Sequence, residues 1–191
     1  MGERFQPGGR APAPPPLDLV QDFVNTEIPD WARDDIATPE LLAGWLRERG
    51  LLEPGAPADA EGFVAARELR SSLRRLALLN TLRESPEPEL VAAVSEALAP
   101  VVLRVVPDGT GRLVAMPAGE GVERALGAIV AVVLEAQVSG SWSRVKACRQ
   151  ETCGWVFYDG SRNLSSSWCS MSICGNRTKS AAYRRRRKAS S

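Results

Sequence analysis

Apolar residues recur at helical spacing through the first part of the chain. In residues 17–26 they occupy positions 17, 19, 20, 23 and 24, which predicts the buried stripe of an amphipathic helix. A second helix is predicted after Thr38, because Thr38 can act as the N-cap and Pro39 suits the first helical position. We expect this helix to end at Gly50.

A longer helix is predicted from Asp59 onwards, where apolar residues between Phe63 and Leu82 lie on one face. A further helix is predicted to begin at Ser85-Pro86 and to end near Pro100. Three arginines lie between the apolar positions of the longer helix, and we expect their side chains to be in solvent: Arg67, Arg70 and Arg74.

Two short β-rich runs follow, at residues 101–106 and 112–116. They flank the turn-forming sequence Asp108-Gly109-Thr110-Gly111, so they predict a β-hairpin. Residues 121–137 are apolar nearly all round, which predicts a buried central helix. The N-terminal domain is therefore predicted to be mainly α with one β-hairpin.

The composition divides the chain into three parts. Residues 1–16 are rich in Pro and Gly and are expected to be disordered. A mainly helical domain is predicted over residues 17–138, and Ser139-Gly140-Ser141 marks its boundary with a small C-terminal module at residues 142–188. We expect this module to consist of short strands and a helix, with one strand at residues 155–158.

Charge is distributed unevenly along the chain. Residues 1–140 contain 13 Lys and Arg against 21 Asp and Glu, a net charge of −8. Residues 141–191 contain 11 Lys and Arg against 2 Asp and Glu, a net charge of +9. This asymmetry favours a basic module that faces a polyanion and is attached to an acidic body. Chance sorting of surface charges is the alternative.

The sequence contains no segment that predicts export or membrane insertion. Residues 1–16 lack the apolar region of a signal peptide. The apolar stretch at residues 125–134 is much shorter than the roughly 20 residues that span a bilayer. We therefore expect a cytoplasmic protein with reduced thiols and no membrane partner.

The chain has four cysteines and no histidine, and the cysteines are spaced Cys148-x4-Cys153-x15-Cys169-x4-Cys174. Four thiolates complete a tetrahedral shell around Zn²⁺ and leave no open position, which predicts one structural zinc ion. A segment of about 40 residues buries too little apolar surface to fold without such support. Two disulfides and an iron–sulfur cluster are the alternatives. Reducing conditions disfavour the first, and the cysteine spacing disfavours the second.

Basic residues are concentrated around and after the cysteines. Some surround the predicted metal ligands: Arg144, Lys146, Arg162, Arg177 and Lys179. Five others form a basic tail: Arg184, Arg185, Arg186, Arg187 and Lys188. In a helix the four arginines of the tail would point in nearly all directions, so they cannot form one face against a core. The tail is either a phosphate clamp, which we favour, or a solvated C-terminus.

Asn176 follows Cys174 and Gly175 and has two interpretations. It can cap a helix that begins after Cys174, which we favour, or it can contact an adenine edge in the major groove. Arg177 is charged and lies one residue further on, so it is the better candidate for a base or phosphate contact.

The C-terminal sequence CRQETCGWVFYDGSRNLSSSWCSMSICGNR, followed by TKSAAYRRRRK, resembles the CGNR zinc finger at every position of that family's pattern. Residues 17–26, the later Leu42, Trp45 and Leu46, and residues 50–52 resemble the start of the ABATE domain. That domain accompanies the finger in bacterial stress-induced transcription regulators. The resemblance implies a mainly helical domain followed by a small DNA-binding finger. It also implies zinc coordination by the four cysteines, and DNA contact near Arg162, Asn176, Arg177 and the basic tail.

The leading hypothesis is therefore a DNA-binding transcription regulator whose N-terminal domain senses an unknown small-molecule effector or forms a homodimer. The runner-up is an RNA-binding or ribosome-associated zinc module, since zinc and arginine do not distinguish the two nucleic acids.

An enzymatic or ligand-binding N-terminal domain is the third hypothesis. We expect no catalysis, because the chain lacks His, a G-x-S-x-G sequence and a P-loop. One group of polar residues forms either a solvated helix face, which we favour, or a ligand site: Asp18, Asp22, Asn25, Thr26 and Glu27.

Overall fold

The computed structural model describes residues 6–180 of the chain. The α-helices of eight or more residues in this range are α1 (Leu17–Val24), α2 (Pro39–Glu48), α3 (Ala60–Leu82), α4 (Pro88–Leu98) and α5 (Gly121–Val138). Short strands form three antiparallel pairs: β1 (Glu27–Ile28) with β2 (Arg33–Asp34), β3 (Leu103–Pro107) with β4 (Leu113–Pro117), and β5 (Val145–Ala147) with β6 (Val156–Tyr158). Across the part of the chain described, no helix combines the length and apolar character needed to cross a membrane.

Local sequence signals set the starts of α2 and α3 as predicted, whereas the helix predicted from Ser85-Pro86 begins at Pro88. The Thr38 hydroxyl accepts a hydrogen bond from the Leu41 N–H at 3.3 Å, and the Asp59 carboxylate accepts one from the Gly62 N–H at 2.7 Å. These bonds satisfy backbone donors that have no partner inside α2 and α3. The mainly helical architecture that the apolar periodicity predicts is confirmed.

The predicted hairpin is formed by β3 and β4, with Val105 opposite Ala115 at its centre. In the turn, Asp108 Oδ1 accepts hydrogen bonds from the backbone N–H groups of Thr110 and Arg112, at 2.8 and 3.1 Å. Such side-chain bonds to the backbone are the reason that Asp favours turns. The hairpin packs against α5.

One apolar core joins the helices to the strands of the C-terminal module. It contains buried residues of α1, α2, α3 and α5: Val20, Phe23, Leu42, Leu69, Leu126 and Ile129. The same cluster includes Val145, Ala147 and Val156, which belong to β5 and β6. The boundary predicted at residues 139–141 therefore separates two stretches of sequence that contribute to the same core.

Polar side chains near the end of α3 reinforce this junction. The Asn80 amide donates to the carbonyls of Trp142 and Val145, both at 2.8 Å, and the Thr81 hydroxyl donates to the carbonyl of Ala147 at 2.7 Å. These bonds satisfy carbonyl groups that packing against α3 removes from water.

The expectation that the arginines of α3 are solvated is wrong for Arg70 and Arg74. Arg70 is 2% exposed and donates to both carboxylate oxygens of Asp34, at 2.6 and 3.0 Å. Arg74 donates to the Glu27 carboxylate at 2.6 Å. Both arginines are paired because the short β1–β2 pair, which the sequence pattern does not predict, places the carboxylates of Glu27 and Asp34 opposite α3. Arg67 is exposed, as expected.

Residues 6–16 make specific contacts, which differs from the disorder predicted for residues 1–16. The Arg10 guanidinium donates to the carbonyl of Cys169 at 3.2 Å and lies 4.5 Å from the centre of the Phe157 ring. Composition could not reveal these contacts, because both partners lie far along the chain.

Replacing Asp34 with Ala leaves the buried Arg70 charge without its bidentate partner. We expect the free energy of unfolding to fall by about 3 kcal/mol, as is usual when one member of a buried ion pair is removed. Urea denaturation followed by circular dichroism measures the change. Asp35→Ala is the matched control, because its partner Arg33 is 52% exposed, and it should cost less than about 1 kcal/mol. Equal losses in the two variants would contradict the assignment.

Candidate metal centre

The four cysteines come together beside the β5–β6 pair. Their Sγ atoms all lie within 4.8 Å of one another, and all four side chains are buried. The structure therefore brings together the complete set that the spacing predicts: Cys148, Cys153, Cys169 and Cys174.

The distances between the sulfurs fit one zinc ion. The Sγ atoms of Cys153 and Cys169 are 3.7 Å apart, as are those of Cys169 and Cys174. A tetrahedral site with Zn–S bonds of about 2.3 Å has sulfur–sulfur edges of about 3.8 Å. A disulfide needs about 2.05 Å, so all four are free thiols. Four thiolates fill the coordination shell, which makes the zinc structural.

Electrostatics explains why this cluster needs a cation. The sulfur of Cys148, followed by that of Cys153 and by burial, raises the pKa of the Cys169 thiol above its ordinary value. Burial, followed by the charge of Cys148, raises the pKa of Cys174. Raised pKa values disfavour the deprotonated thiolates, and a dication bound between the sulfurs stabilises them. Zinc binding therefore releases protons and is coupled to folding of the site.

The β5–β6 pair and the turn between its strands position the first two ligands. The Cys148 N–H donates to the Trp155 carbonyl at 2.8 Å, and the Cys153 N–H donates to the Gln150 carbonyl at 2.9 Å. Gly154 has a φ of 62°, in the left-handed region that favours glycine. The turn can therefore bring both sulfurs to the same side.

Cys174 lies in a π-helix at Met171–Gly175, which continues as an α-helix through residues 176–180. We call residues 171–180 the finger helix. The hydroxyl of Ser170 accepts a hydrogen bond from a backbone N–H of the first turn at 3.4 Å, so Ser170 is the N-cap. Because Cys174 lies in the first turn of this helix, its coordination to zinc fixes the position of that turn.

The interpretation of Asn176 as a helix cap is wrong, because the finger helix already begins at Met171. The Asn176 amide instead donates to the carbonyl of Ser172 at 3.4 Å, and the residue is exposed. Thr178 donates from its hydroxyl to the Gln150 side chain at 3.0 Å, which ties the finger helix to the turn of the first cysteine pair.

Lys146, which the sequence analysis placed among the charges around the metal, is buried. Its ammonium lies 2.9 Å from Asp159, and the two side chains are 3% and 0% exposed. Asp159 also accepts hydrogen bonds from the N–H and hydroxyl of Ser166. Burial raises the pKa of Asp159, but hydrogen bonds from Ser161, Lys146 and Ser166 outweigh it and hold that pKa well below its usual range. The pair shapes the loop between the cysteine pairs and does not face solvent.

Three residues predicted to contact nucleic acid are exposed together on the finger helix: Asn176, Arg177 and Lys179. Arg162 is also exposed, but it lies on the loop after β6. Arg83 holds this loop at the end of α3 by donating to the carbonyl of Leu164 at 3.2 Å. The basic tail, Arg184–Lys188, lies outside the described residues.

Arg177 forms an ion pair with Asp30, which lies between β1 and β2. Its Nη1 atom is 2.6 Å from Asp30 Oδ2. A hydrogen bond from Thr152, assisted by Arg177, holds the pKa of the Asp30 carboxyl below its usual range despite the opposing effect of burial. Sequence reasoning missed this pair because its members are 147 positions apart.

The polar group at the end of α1 holds the C-terminal module. The Asn25 amide donates to the Val156 carbonyl at 2.7 Å and accepts from the Val156 N–H at 2.8 Å. Gln21 donates to the same carbonyl at 3.2 Å. Thr26 is buried and accepts from Arg70 at 3.1 Å. Neither interpretation from the sequence describes Asn25 and Thr26, because Asn25 binds β6 and Thr26 binds a buried arginine.

Replacing Cys174 with Ser removes one of the four thiolates. We expect the unaltered chain to carry about one zinc ion and the variant to lose most of it and melt at a lower temperature, because the metal contributes folding free energy. Elemental analysis and thermal circular dichroism measure the two quantities. Ser165→Ala, at an exposed position between the cysteine pairs, is the control. Full zinc content with an unchanged Tm in Cys174→Ser would refute the site.

Comparison with known proteins agrees with the resemblance found in the sequence. The family model of the ABATE domain, described as "Putative stress-induced transcription regulator", matches residues 17–139, and that of the CGNR zinc finger matches residues 144–187. Neither description is that of an enzyme. Comparison with curated proteins finds no match. The first match covers more than half of the chain, so the protein belongs to the ABATE family and carries a CGNR zinc finger after its ABATE domain.

Proposed function

We propose that this protein is a DNA-binding transcription regulator. Its zinc finger contacts DNA mainly through the phosphates, and its N-terminal domain senses an effector or forms a homodimer. The zinc ion takes no part in chemistry and holds the finger helix in place.

The observation that carries this proposal is the exposed basic face of the finger helix. Arg177 and Lys179 extend from a helix whose first turn contains the metal ligand Cys174 and which Thr178 ties to Gln150. Guanidinium and ammonium groups on a fixed helix suit phosphate oxygens, and arginine adds bidentate geometry. The helix therefore presents cations at defined positions.

The charge distribution supports the same face. The first 140 residues carry a net charge of −8 and repel a polyanion, whereas residues 141–191 carry +9. Duplex DNA approaching the chain is thus directed towards the finger. The basic tail, Arg184–Lys188, follows the finger helix in sequence and accounts for five of the positive charges of residues 141–191.

A cleft of about 400 Å³ supports a sensing role for the N-terminal domain. It lies between the beginnings of α3 and α5, and apolar and acidic residues line it: Ala65, Val122, Leu126, Asp59, Glu120 and Glu123. This volume is within the range of small-molecule sites. The carboxylates favour an effector that carries an amine or another cationic group.

Binding of the zinc-loaded chain to duplex DNA should weaken steeply as salt is raised, because phosphate contacts release counterions. Lys179→Ala should lower affinity for unrelated sequences alike and reduce the slope of log K against log salt by about 0.9. Fluorescence anisotropy with labelled duplexes measures both. Arg124→Ala removes the same charge from an exposed position on α5 and should change little.

Two results would count against the proposal. One is the absence of binding at low salt, and the other is binding that does not respond to salt. If structured RNA displaces the duplex at lower concentration than unlabelled DNA does, the finger is an RNA-binding module instead, since contacts to the 2′-hydroxyl separate the two nucleic acids.

A further inference from the structure

The cation best placed on the finger helix is already occupied by a carboxylate of the N-terminal domain. Arg177 Nη1 lies 2.6 Å from Asp30 Oδ2. The Arg177 side chain is 47% exposed and that of Asp30 is 17% exposed, so the pair lies at the surface with its acid partly covered. The contact therefore links the ABATE domain to the residue most suited to bind a phosphate.

Apolar packing fixes the position of Asp30. It sits in a 3₁₀ turn at Pro29–Trp31, between the two strands of the β1–β2 pair. Ile28, just before the turn, is buried in the same cluster as the four cysteines. The ring of Trp31 lies 6.0 Å from that of Trp155. The carboxylate is thus held against the metal site by neighbours on both sides.

Carboxylate and phosphate oxygens are both anionic hydrogen-bond acceptors for a guanidinium. Both accept charge-assisted hydrogen bonds at about 2.7–2.9 Å, and both use the same N–H groups. Asp30 occupies one N–H of Nη1 and neutralises part of the Arg177 charge, so a phosphate gains less from this guanidinium while the ion pair persists. DNA must displace Asp30 before the phosphate can use that N–H and the full charge of Arg177.

We infer that Asp30 is an intramolecular competitor for DNA phosphate, which masks Arg177 and lowers the affinity of the finger for DNA. The inference rests on the proposed function. It gives the N-terminal domain a direct physical route to the finger, because any movement of the β1–β2 pair away from the finger helix releases Arg177.

The competing explanation is that Asp30 orients Arg177 for DNA contact. The two explanations predict opposite signs. If Asp30 masks Arg177, removing its charge strengthens DNA binding. If it orients Arg177, removing its charge weakens binding.

The test uses the full zinc-loaded chain and a labelled duplex in fluorescence anisotropy, with variants compared at equal bound zinc. Asp30→Asn should raise affinity by about twofold to fivefold, the range expected when a partly exposed ion pair is removed. The salt slope should steepen by about 0.9, because Arg177 then neutralises one more phosphate. Asp30→Ala, which removes both oxygens, should change affinity in the same direction.

Two controls separate the release of Arg177 from a general loss of negative charge. Asp35→Asn removes the same charge from the residue after β2, where its partner is Arg33, and should raise affinity much less. In an Arg177→Gln background, Asp30→Asn should give no gain.

The outcomes are distinguishable. If the unaltered chain binds DNA and Asp30→Asn binds equally or more weakly, the masking inference is overturned and the proposed function stands. A gain that persists without Arg177 also overturns the inference. If no variant binds DNA at low salt, the proposed function and the inference both fail.

Discussion

The packing of the metal-binding strands into the helical core is the constraint on which the rest of this structure depends. A zinc finger of about 40 residues has little apolar surface of its own. Here β5 and β6 contribute Val145, Ala147 and Val156 to the cluster that α1, α3 and α5 build. Asn25 binds both backbone groups of Val156, so α1 extends the hydrogen bonding of the strand pair. The finger is therefore supported by zinc on one side and by the ABATE domain on the other.

This arrangement determines how the basic surface is presented. Zinc fixes the start of the finger helix through Cys174, and the core fixes the strand pair that carries the other half of the site. Ile28 packs the β1–β2 pair against the four cysteines, which is why Asp30 of the N-terminal domain can reach Arg177. A finger on a free linker would lack that connection. The contact between the two domains thus also determines how Arg177 is presented.

Features encoded by short-range signals could be predicted from the sequence. The cysteine spacing specified the four ligands, Thr38 and Asp59 specified helix starts, and the residues around Asp108 specified a turn. Each depends on neighbours within a few positions or on an unmistakable residue type. These signals were sufficient for the fold class and for the metal site.

Features that depend on distant partners could not be predicted. The sequence pattern predicts Arg70 in solvent and Lys146 at a charged surface, but each is buried because a carboxylate elsewhere in the chain pairs with it. The local pattern favours Asn25 as part of a solvated helix face, but its partner is 131 positions away. It favours Asn176 as a cap, because the π-helical turn before it, which Ser170 begins, has no clear sequence signal. Pairing of this kind depends on the fold and has no local pattern.

We expect the zinc site and the helical domain to unfold as one cooperative unit, and a single urea titration tests this most directly. Zinc release is followed with a chromogenic chelator while helix content is followed by circular dichroism on the same samples. Because β5 and β6 share their core with α3, the account predicts that the two transitions coincide within error, as in two-state unfolding. Zinc release at clearly lower urea, with the helix signal intact, would show that the finger unfolds independently and would contradict the account.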